Sequence, residues 1–254
     1  MTSWDCYAHI GAHRGFGARG LLADMDRCGI GRAVLIPFLD APGFDDLSQA
    51  ARDWPDRFCA VCRLDLGAPG LEALLDSGFR GARLTLPPPG TRGDDLALAL
   101  ACLDRRAAVL LAHAPGGAGL HAEQLTAWAE RDPRLRVFVP HLGWPLTAHG
   151  AATPDWADGL RRLAECERVY AGLSALYFYS RQLPPFEDAF GYARAVRDAF
   201  GPDRCVLAGD YPMMLERCAY DQVWESLRAA VGDDAQLRRM QSATPLRLWA
   251  EEQL

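Results

Sequence analysis

Near its C-terminal end the chain reads Cys205-Val206-Leu207-Ala208-Gly209-Asp210-Tyr211-Pro212. The apolar run Val206-Leu207-Ala208 is too short for a helix and is bounded by Gly209 and Pro212, so it reads as a buried strand ending in a carboxylate. Burying Asp210 there costs several kcal/mol, roughly, unless a metal, a cation or hydrogen bonds compensate it. Two earlier runs end in the same way, Val109-Leu110-Leu111-Ala112-His113 and Val137-Phe138-Val139-Pro140-His141. Apolar strands that each deliver one ionisable side chain at their C-terminal ends describe the active site of a barrel.

Working outward, strand candidates begin near residues 4, 32, 57, 79, 107, 135, 168 and 204. Helical patterns lie between them, at about 19–29, 45–54, 70–77, 93–105, 120–131, 155–166, 187–200 and 219–230. Eight strands alternating with eight helices over this length give a single-domain (β/α)8 TIM barrel spanning 1–254, with an additional C-terminal helix at about 234–252. The longest irregular pieces, Pro87 to Gly90, His141 to Pro154 and Ser174 to Pro185, each follow a strand and so belong on the catalytic face.

Composition narrows the class of function. A formal charge of -6 with no basic cluster argues against nucleic acid or an anionic membrane as the main partner, and a small-molecule substrate is expected. No stretch approaches a membrane span and no secretory signal opens the chain, so a cytoplasmic enzyme is expected. Oligomeric state is not readable, and a homo-oligomer is compatible with the sequence. All 27 basic residues are arginine, which removes lysine Schiff bases and a carboxylated lysine bridging two metals. The eight cysteines are expected as reduced thiols; Cys59 and Cys62 sit in a strand, on opposite faces, as small core residues.

The strand ends supply the candidate site: Asp5, Tyr7 and His9, then Arg83, His113, His141, Ser174 and Asp210. Period-two alternation puts Asp5, Tyr7 and His9 on one face, the barrel interior. Arg83 has two readings, a salt bridge to Asp5 or a neighbouring acid, and a place in the pocket. Ser174 lacks a nucleophile elbow and reads as a hydrogen-bond partner or substrate contact. Arg14, with His13, lies in the first loop, and Tyr177-Phe178-Tyr179 after the seventh strand reads as a lid or a subunit contact. His121 and His149 read as surface residues, and Pro115 to Gly119 as a flexible turn.

Taken together, these stretches resemble the amidohydrolase superfamily, in particular the amidohydrolase-related branch that contains decarboxylases and lactonases. Asp5 to Gly11 is similar to its D-x-H-x-H-x-G opening, Arg57 to Asp65 and Gly78 to Leu84 to its third and fourth strands, and Pro140 to Gly143 with Leu173-Ser174 to its sixth and seventh. Gly209 to Pro212 resembles G-S-D-Y-P, and Thr244 to Trp249 the closing helix. The resemblance implies His9, His113 and Asp210 as ligands of one Zn²⁺ or another divalent ion, with His141 beside it. Tyr7 stands where the pattern has its first histidine. The resemblance further implies Asp210, His141, Tyr7 and Arg83 as catalytic residues, and Arg14, Ser174, Tyr177, Tyr179 and Tyr211 are expected at the substrate. With a metal, the expected reaction is hydrolysis or decarboxylation of a small carboxylated or cyclic molecule. Without one it is the work of a lactonase, isomerase or cyclase with Asp210 as base, and a barrel retained only for binding is the third reading.

Overall fold

The computed structural model describes residues 2–67, 70–88, 90, 93–146, 150, 153 and 155–249. His149 lies outside them. The strands are β1 (Trp4–Ala8), β2 (Arg32–Leu35), β3 (Phe58–Ala60), β4 (Cys62–Arg63), β5 (Gly81–Thr85), β6 (Val109–His113), β7 (Arg136–Val139), β8 (Val169–Leu173) and β9 (Cys205–Leu207). All neighbouring pairs are parallel. β3 and β4 are one barrel strand interrupted at Val61: Val61 N–H bonds Leu35 on one side, while Leu64 N–H bonds Arg83 on the other. The sheet closes between its ends, because Asp210 N–H donates to Tyr7 O (2.9 Å) and His9 N–H to Tyr211 O (2.6 Å). This is the (β/α)8 barrel that the alternation of apolar runs and helical patterns predicts.

Around the sheet run α1 (Ala18–Cys28), α2 (Asp45–Asp53), α3 (Leu71–Asp76), α4 (Asp94–Arg105), α5 (Ala122–Arg131) and α6 (Trp156–Glu165). After β8 comes a single turn, α7 (Leu176–Tyr179), before α8 (Phe190–Phe200) and α9 (Tyr220–Val231) complete the ring. Each long helix turns an apolar stripe inward; α9, for example, buries Val223, Trp224, Leu227 and Ala230. The added C-terminal helix is not uniform. It consists of α10 (Asp234–Arg238), a π-helical turn (Arg239–Ala243) and α11 (Thr244–Trp249). Leu248 and Trp249 enter the same core as Trp4 and Phe138, with Trp249 edge-on to Phe138 at 5.7 Å. They fill the end of the barrel from which β1 starts, and the polar residues gather at the opposite end.

Two expectations about the strands need correction. Asp5 does not face the interior with Tyr7 and His9. The β1–β2 register shifts between Asp5 and Ala8, and Cys6 and Tyr7 both join the interior core while Asp5 points outward to Tyr220 of α9. His121, read as a surface residue, is buried, and its loop is no free turn. A Cβ on Gly119 would lie 2.6 Å from Asp155 O, and one on Gly159 only 2.1 Å from Gly119 Cα, so glycine is required for this backbone contact with α6. The cysteines are as expected: all eight are free, Cys59 packs inside the barrel, and Cys62 faces the outer layer. Burial pushes these two thiols up to about 11 and about 12, which keeps them unreactive. No helix among the described residues is long and apolar enough to cross a membrane.

Candidate active site

The C-terminal ends of the strands surround a cavity of about 290 Å³. Its floor holds Tyr7, His9, Arg83, His113, His141 and Asp210. Six side chains separated by up to 203 residues in sequence meet here because each lies within, ends or closely follows a parallel strand whose apolar residues pack the barrel. His141 and Asp210 reach the cavity through left-handed backbone, with φ of 53° and 59°. Such a conformation costs a non-glycine residue about 1–2 kcal/mol, and here it turns the side chain over the strand end.

Asp210 is 6% exposed. Tyr177 hydroxyl donates to Oδ2 at 2.6 Å, whereas Oδ1 faces His9 Nε2 at 3.8 Å. Burial pushes the carboxyl up to about 7, against the Tyr177 hydrogen bond and the Arg83 charge that hold it down. Asp210 is therefore near half-ionised at neutral pH, which suits a general base. His9 donates Nδ1–H to the Ile36 carbonyl at 2.7 Å, because a carbonyl can only accept; its Nε2 thus carries a lone pair into the cavity. The ring stacks on Phe38 at 4.8 Å, and burial, with Arg83 adding to it, lowers its pKa to about 3. His9 is neutral, and the 3.8 Å approach to Asp210 is not an ion pair.

His113 Nδ1 lies 3.1 Å from Thr85 Oγ1, and burial, then Arg83, lowers its pKa to about 3. His141 is held by Ser174, whose Oγ accepts the His141 backbone N–H and sits beside Nδ1, each at 3.0 Å. Burial, followed by His113 and Arg83, lowers its pKa well below the usual range. Tyr7 has a hydroxyl without a hydrogen-bond partner, its ring edge-on to His9 and His141 at 5.1 and 4.5 Å. Burial pushes this phenol up to about 12, so it stays protonated. Arg83 makes no salt bridge among the described residues. Its Nη1 donates to Pro37 O at 2.8 Å and its Nε is unpartnered, so a buried guanidinium faces the cavity with donors to spare.

The remaining expected contacts divide. Arg14, Tyr177 and Tyr179 line the cavity, but Arg14 is gripped by Asp40 (2.7 Å) and Tyr179 hydroxyl donates to His141 O (2.9 Å). Ser174 and Tyr211 do not line it. Ser174 is fully buried behind His141, and Tyr211 turns outward against Phe16 and Tyr220 beyond the left-handed turn at Asp210. Phe38 and Trp144, which the sequence reading did not single out, complete the wall. Their one signal is position, each a few residues past a strand end.

A divalent ion needs three or more donors converging on one point, at about 2.0–2.3 Å for zinc. Among the described residues no three His, Cys, Asp or Glu side chains converge in that way. Tyr7 takes the place of one donor with a phenol, a poorer ligand than imidazole, whose ionisation burial opposes, and the Arg83 charge shares the cavity. The residues present do not fit a one-ion site.

A family model described as amidohydrolase matches residues 8–250. That family usually uses a divalent metal. The L-fucono-1,5-lactonase of Burkholderia ambifaria is 27% identical over 215 residues, covering 79% of this chain and 71% of that protein. Among solved structures, a probable 2-pyrone-4,6-dicarboxylic acid hydrolase from Acinetobacter baumannii, with citric acid bound, superposes with a TM-score of 0.82 at 16% identity over 99% of this chain and 100% of that one. An amidohydrolase from Burkholderia multivorans, crystallised with zinc, gives 0.79 at 21% identity over 98% and 99%.

Proposed function

We propose that the chain, which belongs to the amidohydrolase family, is a lactonase that opens its substrate with Asp210 as general base and without a metal ion. The family makes the chain an enzyme of hydrolase, lactonase or decarboxylase type. The observation that carries the finer reading is the pairing of Asp210 Oδ1 with His9 Nε2. Two acceptors face each other at 3.8 Å, an arrangement in which a water would donate one proton to each and be polarised between them.

Donors stand on the other side of the cavity. Ser174 Oγ accepts the His141 backbone N–H and lies 3.0 Å from Nδ1; in the tautomer we assign, the hydroxyl donates to Nδ1 and His141 presents Nε2–H to the substrate. Arg83 and the Tyr7 hydroxyl add donors without partners. In this reading Asp210 takes a proton from the water as its oxygen attacks the lactone carbonyl. The developing oxyanion is stabilised by Arg83 and His141, and collapse breaks the ring C–O bond, with the proton on Asp210 passing to the departing alkoxide. Sequence relatedness to a lactonase supports this choice over decarboxylation.

The test combines metal analysis with turnover. Protein purified without an affinity tag is expected to carry well under one Zn, Mn or Fe per chain and to hydrolyse lactones at the same rate after chelator treatment, while Asp210→Asn loses about a thousandfold or more in kcat. Activity abolished by chelator and restored by Zn²⁺ overturns the proposal.

A further inference from the structure

Resting on the lactonase reading, we infer that the substrate is a lactone whose distal part is aromatic or alkyl, not a polyhydroxylated ring. The cavity concentrates its polar groups at its floor. Above it the wall is built from Phe38, Leu39, Phe178, Met213 and Ala175, with Leu39 and Phe178 about half exposed at the mouth.

Most of the donors that could serve a hydroxylated ring at this level are, among the described residues, already committed. Tyr177 hydroxyl donates to Asp210 Oδ2 (2.6 Å) and Tyr179 hydroxyl to His141 O (2.9 Å). Arg14 is the only charged side chain of the upper wall among the described residues. Its Nε and Nη2 bond both oxygens of Asp40 (2.7–3.2 Å) while its guanidinium lies over Phe38 at 4.6 Å. A ring bearing three or four hydroxyls would leave water for a wall whose described residues offer few free donors, and each hydroxyl left unpaired weakens binding by about tenfold. An apolar face loses nothing on the same transfer and covers two exposed hydrophobic side chains.

The charge count agrees. With Arg14 paired to Asp40, Arg83 is, among the described residues, the one guanidinium in the cavity without an acid partner, and the oxyanion of the reaction uses it. Among the described residues a substrate bearing two further carboxylates has no second unpaired cation to meet.

The experiment compares 3,4-dihydrocoumarin, a benzo-fused six-membered lactone, with D-glucono-1,5-lactone, each corrected for spontaneous hydrolysis. Binding of the corresponding lactams, which resist ring opening, is measured in parallel by calorimetry. The expected result is a kcat/KM at least about tenfold higher for dihydrocoumarin and a lactam Kd lower by a similar factor. Phe178→Ser, at a half-exposed position, is expected to shrink this preference about threefold, through KM and not kcat. Equal or better use of the sugar lactone, tighter binding of its lactam, or no binding of the benzo-fused lactam overturns the inference. Tight binding of the benzo-fused lactam with no lactone turned over supports the shape of the substrate and removes the lactonase reading instead.

Discussion

Replacing Tyr177 with Phe removes one oxygen atom and one hydrogen bond, the 2.6 Å donation to Asp210 Oδ2. The bond is short, buried and made to a carboxylate, so it stabilises the ionised form by about 1.5–3 kcal/mol. At about 1.4 kcal/mol per pKa unit, its loss raises the Asp210 pKa from about 7 by about one to two units. A general base works when deprotonated, so wild-type kcat/KM should rise with pH through about 7 and level off. In Tyr177→Phe the same rise should be displaced to about 8–9, with a rate at pH 7 lower by about five- to fiftyfold and a plateau close to wild type. The assay is initial-rate hydrolysis from pH 5 to 9.5 with the spontaneous rate subtracted, together with the thermal unfolding midpoint. The packing of the ring is unchanged, and the fold should tolerate the substitution. A rate loss equal at every pH, with the midpoint of the profile still near 7, would refute the claim that Tyr177 sets the ionisation of Asp210.

Ser174→Ala leaves the His141 backbone N–H and Nδ1 without their partner; stability should fall by about 1–3 kcal/mol in denaturant titration, and kcat should drop more than KM changes as the imidazole loses its fixed tautomer. Gly209→Ala sets a Cβ 2.7 Å from Asp5 Oδ2 and 2.8 Å from Tyr220 Cε2; a loss of about 1–3 kcal/mol is expected, and a variant as stable as wild type would contradict the described packing. His113 is held neutral down to about pH 3, whereas in the unfolded chain it takes up a proton below about 6.5. Stability from this group is complete above that pH and is lost as pH falls, so His113→Gln should gain on wild type by about 2 kcal/mol between pH 7 and 5, and parallel stability curves would refute it.

What the sequence disclosed follows from what a strand end has to satisfy. A buried run such as Val109 to Ala112 that stops on His113 is costly to place anywhere but at a cavity, so His113, His141 and Asp210 could be found one strand at a time. The eight strand positions were legible for the same reason, since short apolar runs buried on both faces carry no competing helical period. Faces were harder. A single bulge at Cys6-Tyr7 reverses every inference drawn from alternation N-terminal to it, and nothing in the residue types announces the bulge. Ser174 and Tyr211 follow strands as their neighbours do, yet they turn behind the site and outward from it, a choice made by backbone dihedrals at Ala175 and Asp210 that residue identity does not encode. The Tyr177 to Asp210 bond joins residues 33 apart through a one-turn helix of four residues, below the length at which periodicity carries a signal.

The bulge also explains why the barrel keeps two buried carboxylates within reach of one another. Asp5, turned outward, has both oxygens engaged: Oδ1 accepts Tyr7 N–H (3.1 Å) and Gly209 N–H (2.8 Å), and Oδ2 accepts the Tyr220 hydroxyl (2.7 Å). Burial still pushes it up to about 6, but with three donors in place it has no free oxygen for chemistry. Its bond to Gly209 fixes the residue immediately before Asp210, and thus the left-handed turn that aims the second carboxylate into the cavity. Asp210 has one oxygen satisfied and one open, and the Asp5 charge adds to the burial that raises its pKa. The same chemical group therefore serves as strut on one side of β1 and as candidate base on the other, and the number of donors each receives decides which.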